Sequence, residues 1–313
     1  MRIVAWERQV PVYRLTLIAV AALLLLSACG GEDGAARAAA PTATPENVQV
    51  STRLIPHPKG DGGAPSGYYE YLPPGYGDGA RRPLLVVLHG FGESGDGSAA
   101  QLRNLLAKDS GVPWLIRADR WPADRPFVVL APQHAAAQDA AYDACGRGAY
   151  SGDCTFKVQH DRGNPVAGSS CVTPTEIHAF LEYAIAKYDV DPGRVYLTGL
   201  SCGAFGAYEY LAEYGSTQIA ALVAIAGDAR PALSAVHCQL AAVPIWAFHG
   251  DADDVVSTAG STALTTELSG CPQPRPALEV TVYPGVGHDS WVKTYDLSAG
   301  HDIYAWFLGF TKT

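Results

Sequence analysis

The stretch of sequence that decides the fold is Val195-Tyr-Leu-Thr-Gly-Leu-Ser-Cys-Gly-Ala-Phe-Gly-Ala-Tyr208. An apolar, β-prone run leads directly into the turn Gly199-Leu-Ser-Cys-Gly203, and good helix formers follow as far as Tyr214. A strand, a G-x-S-x-G turn and a helix in this order are typical of a nucleophile elbow. The glycines allow a tight turn, because a side chain at either position would strike the neighbouring strand or helix. The pattern predicts that the hydroxyl of Ser201 is exposed at the carboxyl end of a strand.

Seven segments are predicted to be strands, and several of them are continuous apolar runs without alternation, such as Leu84–Leu88. Runs of this kind are typical of parallel strands that are buried on both faces. The seven candidates are Gly67–Leu72, Leu84–His89, Phe127–Ala131, Val195–Thr198, Ala221–Ala226, Ile245–His249 and Leu278–Tyr283.

Helical patterns alternate with these strands, and the clearest is Pro174–Tyr188. Thr173 is a candidate N-cap, Pro174 suits the first turn, and Glu176 completes a capping box. The segment Asp191-Pro-Gly is expected to turn the chain into the elbow strand. Further helices are predicted over about Ser98–Lys108, Ala204–Tyr214, Thr258–Leu268 and Asp302–Phe310. Strands that alternate with helices predict an α/β fold with a mainly parallel central sheet flanked by helices.

The first 28 residues are predicted to be a leader. A basic start precedes the apolar run Leu15–Leu26, which is short for a bilayer span and suits the core of a signal peptide. The next residues, Leu26-Ser-Ala-Cys-Gly30, resemble the lipobox of bacterial lipoproteins and predict lipidation of Cys29. A plain secretory signal is the alternative. Residues 29–50, rich in Ala, Gly, Pro and Thr, read as a flexible tether, and residues 51–313 as one catalytic domain.

Six cysteines remain after Cys29, and an even number in an exported protein indicates disulfides. Fifteen pairings are open. Cys238 with Cys271 is favoured, because the two flank one strand–loop–helix unit, and Cys145 with Cys154 would close a small loop. There is no C-x-x-C spacing, so no zinc site is predicted.

The segment from about residue 134 to residue 172 has no convincing strand or helix and holds three of the cysteines. Long connections of this kind either serve the active site or are surface insertions that only stabilise, and both alternatives stay open. Its scattered aspartates lack the spacing of an EF-hand, so they give little support for a calcium site.

The composition is that of a globular domain, with 48% hydrophobic and 17% charged residues. The net charge is −9, and no cluster of Lys and Arg interrupts it. This balance argues against nucleic acid as a partner.

A serine hydroxyl needs a base to take its proton and an acid to orient that base. In folds of the elbow type these follow in the order Ser, then Asp or Glu, then His. The polar loop after Ile245–His249 contains the candidate acids Asp251, Asp253 and Asp254. The glycine-rich loop after the last predicted strand contains His288, the candidate base. A flexible loop of this kind would swing the imidazole towards Ser201.

Other residues near strand ends are weighed against these candidates. Asp228 also follows a strand and is a rival acid, ranked below Asp253 because its loop is less organised. His249 is expected to fix the acid loop, and His89 to order its own loop. His301 is expected to begin a helix.

An oxyanion hole needs two backbone N–H groups that point at the developing negative charge. One is expected from the residue after the nucleophile, Cys202. The second is expected from Phe91, because the glycine-rich turn His89-Gly-Phe-Gly-Glu93 directly follows a core strand.

Taken together, these motifs resemble the α/β-hydrolase-fold serine esterases. Specifically, they resemble the exported "predicted peptidase"/esterase group related to phospholipase–carboxylesterases, polyhydroxybutyrate depolymerases and feruloyl or acetyl xylan esterases. The resemblance extends over roughly residues 64–312 except the insertion. Its pieces are Tyr71-Leu-Pro-Pro-Gly-Tyr76, His89–Glu93, Ala131-Pro-Gln133, Gly199–Gly203, His249-Gly-Asp-Ala-Asp-Asp-Val-Val256 and Tyr283-Pro-Gly-Val-Gly-His-Asp-Ser-Trp291.

The resemblance implies a triad of Ser201, Asp253 and His288, with no metal and no organic cofactor. The chain departs from the family at Cys202 (often Met), Ala204 (often Gly) and Asp254 (often Pro), and none of these changes removes a catalytic group.

The function expected from the sequence is hydrolysis of carboxylic esters, small or polymer-borne, through an acyl-enzyme on Ser201. The protein is expected in the bacterial cell envelope, bound to the membrane by its lipid anchor, or secreted. Two alternatives remain: a serine peptidase with the same triad, and a non-catalytic binding lipoprotein on a hydrolase scaffold.

Overall fold

The computed structural model of the protein describes residues 53–135, 171–272 and 277–312. Its strands are, in chain order, β1 (Ile55–His57), β2 (Gly67–Tyr71), β3 (Arg82–Leu88), β4 (Val128–Gln133), β5 (Val190–Leu200), β6 (Ala221–Ile225), β7 (Ile245–Gly250) and β8 (Leu278–Tyr283). They form one eight-stranded sheet in the order β1-β2-β4-β3-β5-β6-β7-β8. The pairings of β2 with β1 and β4 are antiparallel, and all the others are parallel. The predicted fold class is confirmed.

Helices connect the parallel strands. They are α1 (Val112–Arg117), α2 (Pro174–Lys187), α3 (Cys202–Tyr214), α4 (Arg230–Val236), α5 (Ala259–Leu268), α6 (Trp291–Tyr295) and α7 (Ile303–Leu308). Short 3-10 turns cover Asp61–Gly63, Phe91–Glu93, Leu102–Leu106 and His237–Ala242. Within the described ranges, no helix combines the length and apolar character needed to cross a membrane.

The hydrophobic core lies on both faces of the sheet. Alternate residues of β3 point to opposite faces, so Leu84 and Val86 pack in the layer that contains Phe180 of α2. Leu85 packs in the opposite layer, which contains Phe307 of α7. Because both faces are covered, the central strands need no polar alternation, which explains their continuous apolar sequence.

Helix α2 begins where the sequence predicts. The hydroxyl of Thr173 accepts a hydrogen bond from the N–H of Glu176, and the Glu176 carboxylate accepts one from the N–H of Thr173. This reciprocal capping box satisfies two backbone donors that the first turn leaves without helical partners.

The predicted helix Ser98–Lys108 is wrong, because only Leu102–Leu106 are helical, and as a 3-10 turn. The carbonyl of Leu105 accepts a hydrogen bond from the Ser110 hydroxyl, and the carbonyl of Leu106 accepts one from Arg117. Side chains thus occupy acceptors that a continuing α-helix would use.

Strand β5 is longer than predicted and contains the expected Asp191-Pro-Gly turn as an irregularity. Arg82 pairs with Val190 and Leu84 with Val195, so three extra residues of β5 bulge from the ladder. The carboxylate of Asp191 closes this bulge by accepting hydrogen bonds from the N–H of Gly193 and from Arg194. The turn therefore interrupts the strand without ending it.

Several predictions lie outside the described residues. These are the leader 1–28, the tether 29–50 with Cys29, and the Cys145–Cys154 pairing. The insertion over residues 134–172 is described only at its first two and last two residues.

Candidate active site

The candidate nucleophile lies at the junction of a strand and a helix. β5 ends at Leu200 and α3 begins at Cys202, and Ser201 between them has φ 50° and ψ −124°. A positive φ is costly for a residue with a side chain and persists where the surroundings fix it, as at strained functional turns. Ser201 is 7% exposed, so its hydroxyl is less open to solvent than the sequence pattern predicts.

Two glycines let the elbow close. A Cβ at position 199 would lie 2.6 Å from the carbonyl carbon and oxygen of Gly203. A Cβ at position 203 would lie 2.4 Å from the carbonyl oxygen of His89. The helix, the strand and the loop after β3 therefore approach one another more closely than any side chain at these positions would allow.

The candidate base and acid lie beside this serine. His288, in the loop after β8, has its Nε2 atom 2.9 Å from Oγ of Ser201. Its Nδ1 atom is 2.8 Å from Oδ2 of Asp253, in the loop after β7. The carboxylate accepts the Nδ1–H of His288, which leaves the lone pair of Nε2 to accept the hydroxyl proton of Ser201.

Asp253 is held as an anion inside the protein. Its side chain is fully buried, yet its Oδ1 atom accepts the N–H groups of Val255 and Val256 at 2.9 and 2.8 Å. Burial raises the pKa of a carboxyl, but here the hydrogen bonds from His249 and His288 outweigh it and hold the pKa of Asp253 well below its usual range. The carboxylate is therefore charged throughout the neutral pH range.

His249 lies on the far side of this acid. Its Nε2 atom is 3.1 Å from Oδ2 of Asp253 and 3.0 Å from the carbonyl oxygen of Val256. Both neighbours are acceptors, so Nε2 carries a proton, and Nδ1 faces the hydroxyl of Ser261 at 2.8 Å. The ring is fully buried. These contacts agree with the expectation that His249 fixes the acid loop.

The loop that carries the base is tied to the acid loop. The carboxylate of Asp251 accepts the N–H of Gly285 at 2.6 Å, and the N–H of Ala252 donates to the carbonyl of Val286 at 3.0 Å. A Cβ at position 250 would lie 2.0 Å from that same Val286 carbonyl, so the contact requires glycine. The loop places the imidazole of His288 at Ser201, and these contacts anchor it there.

The rival acids have other partners or positions. Asp228 forms a bidentate ion pair with Arg230, whose Nη2 lies 2.6 Å from its Oδ2. The carboxylate of Asp251 accepts the backbone N–H of Gly285, in the loop that carries His288. Asp254 is exposed. Of these carboxylates, it is Asp253 that the structure brings to His288.

The two candidate oxyanion donors begin helical turns on either side of the nucleophile. Phe91 is the first residue of its 3-10 turn, and Cys202 is the first residue of α3. The loops that hold them are in contact, because a Cβ at position 90 would lie 2.6 Å from Leu200. The same Cβ would lie 3.7 Å from Cβ of Ser201, so the loop that carries Phe91 lies beside the nucleophile.

A buried pair of histidines supports the loop of Phe91. Nδ1 of His89 donates to the carbonyl of Gly90 at 2.6 Å, and Nε2 accepts the N–H of His134 at 2.9 Å. This agrees with the expectation that His89 orders its own loop. Burial lowers the pKa of His89 to about 4 and that of His134 well below its usual value. Both rings are therefore neutral in the folded protein at neutral pH.

We expect this pair to make the protein sensitive to acid. The unfolded chain binds protons at His89 near pH 6.5 and the folded protein only near pH 4, so the stabilisation is complete above 6.5 and is lost as the pH falls towards 4. The loss from His89 alone should be roughly 3 kcal/mol. Urea unfolding across this range measures it.

Removal of the imidazole tests the assignment. His89→Gln should make the slope of unfolding free energy against pH shallower than in wild type. Equal slopes in wild type and His89→Gln would contradict the assignment.

Two features near the nucleophile were missed by the sequence interpretation. The edge of Trp291 meets the ring of His288, with centroids 5.0 Å apart, and its Nε1 donates to the carbonyl of Asp109. An apolar cluster beside Ser201 consists of Cys171, Cys202, Phe205 and Val256, with Phe91 and Val255 packed against it. The sequence could have indicated the tryptophan, which follows the base by three residues. It could not have indicated the cluster, because the cluster joins four segments that are distant in sequence.

The described residues contain two disulfides. Cys238 and Cys271 are joined, which is the pairing favoured from the sequence. Cys202 is joined to Cys171, which the sequence left open. Among the described residues, one group of three potential metal ligands lies close together, namely His237, Cys238 and Cys271. Because its cysteines are bonded to each other, they do not offer thiolates. Disulfides indicate that the protein is exported.

The parallel sheet, the elbow and the three hydrogen-bonded side chains define an α/β hydrolase. The model of the dienelactone hydrolase family matches residues 116–303, more than half of the chain, so the chain belongs to that family and is a hydrolase.

Solved structures share the fold at low identity. A thermostable esterase has a TM-score of 0.58 at 23% identity, and the match covers 84% of this chain and 64% of that one. A Klebsiella pneumoniae subsp. pneumoniae MGH 78578 structure assigned as a dienelactone hydrolase has a TM-score of 0.51 at 16% identity, with coverage of 82% and 98%. Dipeptidyl peptidase 4 of Porphyromonas gingivalis has a TM-score of 0.51 at 14% identity, with coverage of 82% and 35%. No curated protein matches the sequence.

Proposed function

We propose that the protein is a serine esterase that cleaves carboxylic esters through an acyl-enzyme on Ser201. The observation that carries the proposal is the continuous chain of hydrogen bonds from Ser201 to His288 to Asp253, at 2.9 and 2.8 Å. A serine placed in this way, on a strained turn and hydrogen-bonded to an imidazole, is an activated nucleophile.

In the first half of the reaction, Oγ of Ser201 attacks the ester carbonyl carbon while Nε2 of His288 takes the hydroxyl proton. The negative charge that develops on the carbonyl oxygen is stabilised by the N–H groups of Phe91 and Cys202. Asp253 stabilises the imidazolium through Nδ1. His288 then protonates the leaving alcohol, which departs and leaves the acyl group on Ser201.

In the second half, water enters in place of the alcohol. His288 takes a proton from the water, the hydroxide attacks the acyl carbonyl, and the same two N–H groups bind the oxyanion again. Collapse of this intermediate releases the acid and returns the proton to Ser201. The residues named here supply every group that these steps use.

The proposed substrates are short acyl or aryl esters, either small molecules or esters carried on a polysaccharide or polyester. The apolar cluster beside Ser201 supports this choice, because Phe91 and Val255 offer partly exposed apolar surface near the nucleophile. Apolar surface of this kind suits an acyl or aryl group.

The proposed location follows from the N-terminal sequence. We infer that residues 1–28 are removed on export, that Cys29 carries the lipid and that residues 29–50 tether the catalytic domain of residues 51–313 to the membrane. The two disulfides support an oxidising compartment. Metabolic labelling with a fatty-acid probe, in wild type and Cys29→Ala, tests the anchor.

The activity is tested with a fluorophosphonate, which reacts covalently with activated serines. We expect labelling of the wild-type protein and its complete loss in Ser201→Ala, because the nucleophile is then absent. Mass spectrometry of the labelled peptide identifies the modified residue.

Turnover separates the esterase from its alternatives. A series of p-nitrophenyl esters of increasing chain length, with feruloyl and acetyl-xylan substrates beside it, measures ester preference, and peptide p-nitroanilides measure peptidase activity. Faster turnover of the peptides would overturn the esterase proposal in favour of a peptidase. Absence of any labelling of wild type would favour a binding protein.

A further inference from the structure

We propose that the Cys171–Cys202 disulfide positions the oxyanion-binding N–H of Cys202, which makes Cys171 a positioning residue for the reaction. The inference rests on the proposed function, because it assigns a role to a group next to the proposed nucleophile. It differs from an ordinary stabilising role, which the second disulfide of the same domain would share.

The residue that carries the N–H is held at two points by the same partner. Its side chain is bonded to Cys171, with the two Cα atoms 5.1 Å apart. Its carbonyl oxygen accepts a hydrogen bond from the N–H of Cys171 at 3.3 Å. Together the two links restrain both the position and the rotation of Cys202.

The first turn of α3 needs such a restraint. Ala204 and Phe205 donate their N–H groups to the carbonyl of Ser201, but the N–H of Cys202, the first of α3, has no preceding carbonyl of that helix to bond. Here the turn also follows Ser201 in its positive-φ conformation. An oxyanion donor acts through pre-organisation, and an error of about 1 Å in such a group can cost on the order of 100-fold in rate.

The disulfide also packs against the loop that holds the acid. Cys171 and Cys202 are 4% and 3% exposed, and they share an apolar cluster with Phe205 and Val256. The N–H of Val256 is one of the two that bind the carboxylate of Asp253. The same covalent link therefore braces the oxyanion donor and the backbone that orients the acid.

The chain provides a matched control in its other disulfide. Cys171–Cys202 and Cys238–Cys271 span 31 and 33 residues, so removal of either should release a similar loop-closure entropy to the unfolded chain. Cys238 follows the end of α4 and Cys271 follows α5, and both pack in the core layer that contains Phe180, whereas Cys171 and Cys202 belong to the cluster beside Ser201.

The experiment compares Cys171→Ser/Cys202→Ser with Cys238→Ser/Cys271→Ser. Each is measured for unfolding free energy and, well below its unfolding temperature, for kcat and KM on a p-nitrophenyl ester. We expect similar losses of stability, a kcat about tenfold to 100-fold lower in the first variant only, and little change in KM. Inhibition by a trifluoromethyl ketone, whose adduct with serine carries an oxyanion, should weaken by a similar factor.

A second variant and a second measurement guard against misfolding. Cys171→Val/Cys202→Ala keeps the cluster apolar without the covalent link, and it should also lose kcat. If neither variant folds, wild type is treated with a phosphine reductant in its folded state, the free thiols are counted by mass, and kcat should fall as the first disulfide opens and return on reoxidation.

Three results would overturn the inference. The first is a kcat within twofold of wild type in the variants, or in folded protein with the Cys171–Cys202 bond open. The second is an equal loss of kcat in both disulfide variants, which would indicate a purely structural role. The third is absence of Ser201-dependent turnover in wild type, which would overturn the proposed function and this inference with it. If wild type is active and the Cys171–Cys202 variants are equally active, the inference alone is overturned.

Discussion

Replacement of Asp253 by asparagine should lower kcat on an ester by about 10⁴-fold while the protein remains folded. The substitution preserves the shape of the side chain but replaces one acceptor oxygen with a donor. The amide must still accept the N–H groups of Val255 and Val256, which hold the Oδ1 position. Its NH₂ group is therefore turned towards His288 and His249.

The consequence for the base follows from its hydrogen bonds. An NH₂ group at the Oδ2 position donates to Nδ1 of His288, so the imidazole proton moves to Nε2, which then has no lone pair for the hydroxyl of Ser201. The same NH₂ group also faces the Nε2–H of His249, so a donor replaces the acceptor of that hydrogen bond. The nucleophile loses its base without loss of the fold.

Asp228→Asn is the matched control for this change. Asp228 is buried like Asp253, but its carboxylate binds Arg230. The variant should therefore lose stability and retain the kcat of wild type in the folded protein. Steady-state kinetics, with circular dichroism to verify folding, measure both. Full activity in Asp253→Asn with loss of activity in Asp228→Asn would mean that the acid is misassigned.

The sequence predicts those parts of the site that depend on local pattern and chain order. The sequence of residues 195–214 predicts the strand, turn and helix around Ser201, and the order Ser, Asp, His restricts the choice of acid and base. The choice among Asp251, Asp253 and Asp254 needed the resemblance, because three carboxylates in one loop have the same chemistry. In the structure they differ in backbone direction: Asp253 points inwards, Asp251 binds Gly285, and Asp254 faces solvent.

The parts that the sequence does not predict depend on contacts between distant segments. The partner of Cys202 is 31 residues away in sequence, and spacing alone does not select it from the fifteen pairings. The anchoring of the His288 loop depends on Gly250, which leaves room for the carbonyl of Val286. In the sequence, Gly250 does not differ from any other glycine at the end of a strand. The segment 98–108 has helical composition, but hydrogen bonds from Ser110 and Arg117 take its carbonyls. In each case tertiary contacts overrule a local preference.

Replacement of Gly203 by alanine should destroy the elbow, and it is the substitution from which we expect the largest loss of stability. The new Cβ would lie 2.4 Å from the carbonyl oxygen of His89 and 2.7 Å from that of Leu88. Both obstacles are backbone atoms at the end of β3, so no rotation of a side chain relieves the contact. Either α3 or the loop of Phe91 must move.

Overpacking of this kind should lower the free energy of unfolding by about 3 kcal/mol or more. The activity should fall further than the stability implies, because either movement separates the N–H of Phe91 from that of Cys202. A displacement of about 1 Å would cost on the order of 100-fold in kcat in the molecules that still fold.

Gly270→Ala is the control, since no atom lies within 4 Å of the Cβ it would add and its backbone lies outside the positive-φ region. Both substitutions remove the same conformational freedom from the unfolded chain, so their difference reports the folded state alone. Gly270→Ala should change the free energy of unfolding by less than about 0.5 kcal/mol and leave kcat unchanged. Urea unfolding and ester hydrolysis of both variants measure the difference. If Gly203→Ala matched Gly270→Ala in both measurements, α3 would not be packed tightly against the end of β3, and the described geometry of the elbow would be wrong.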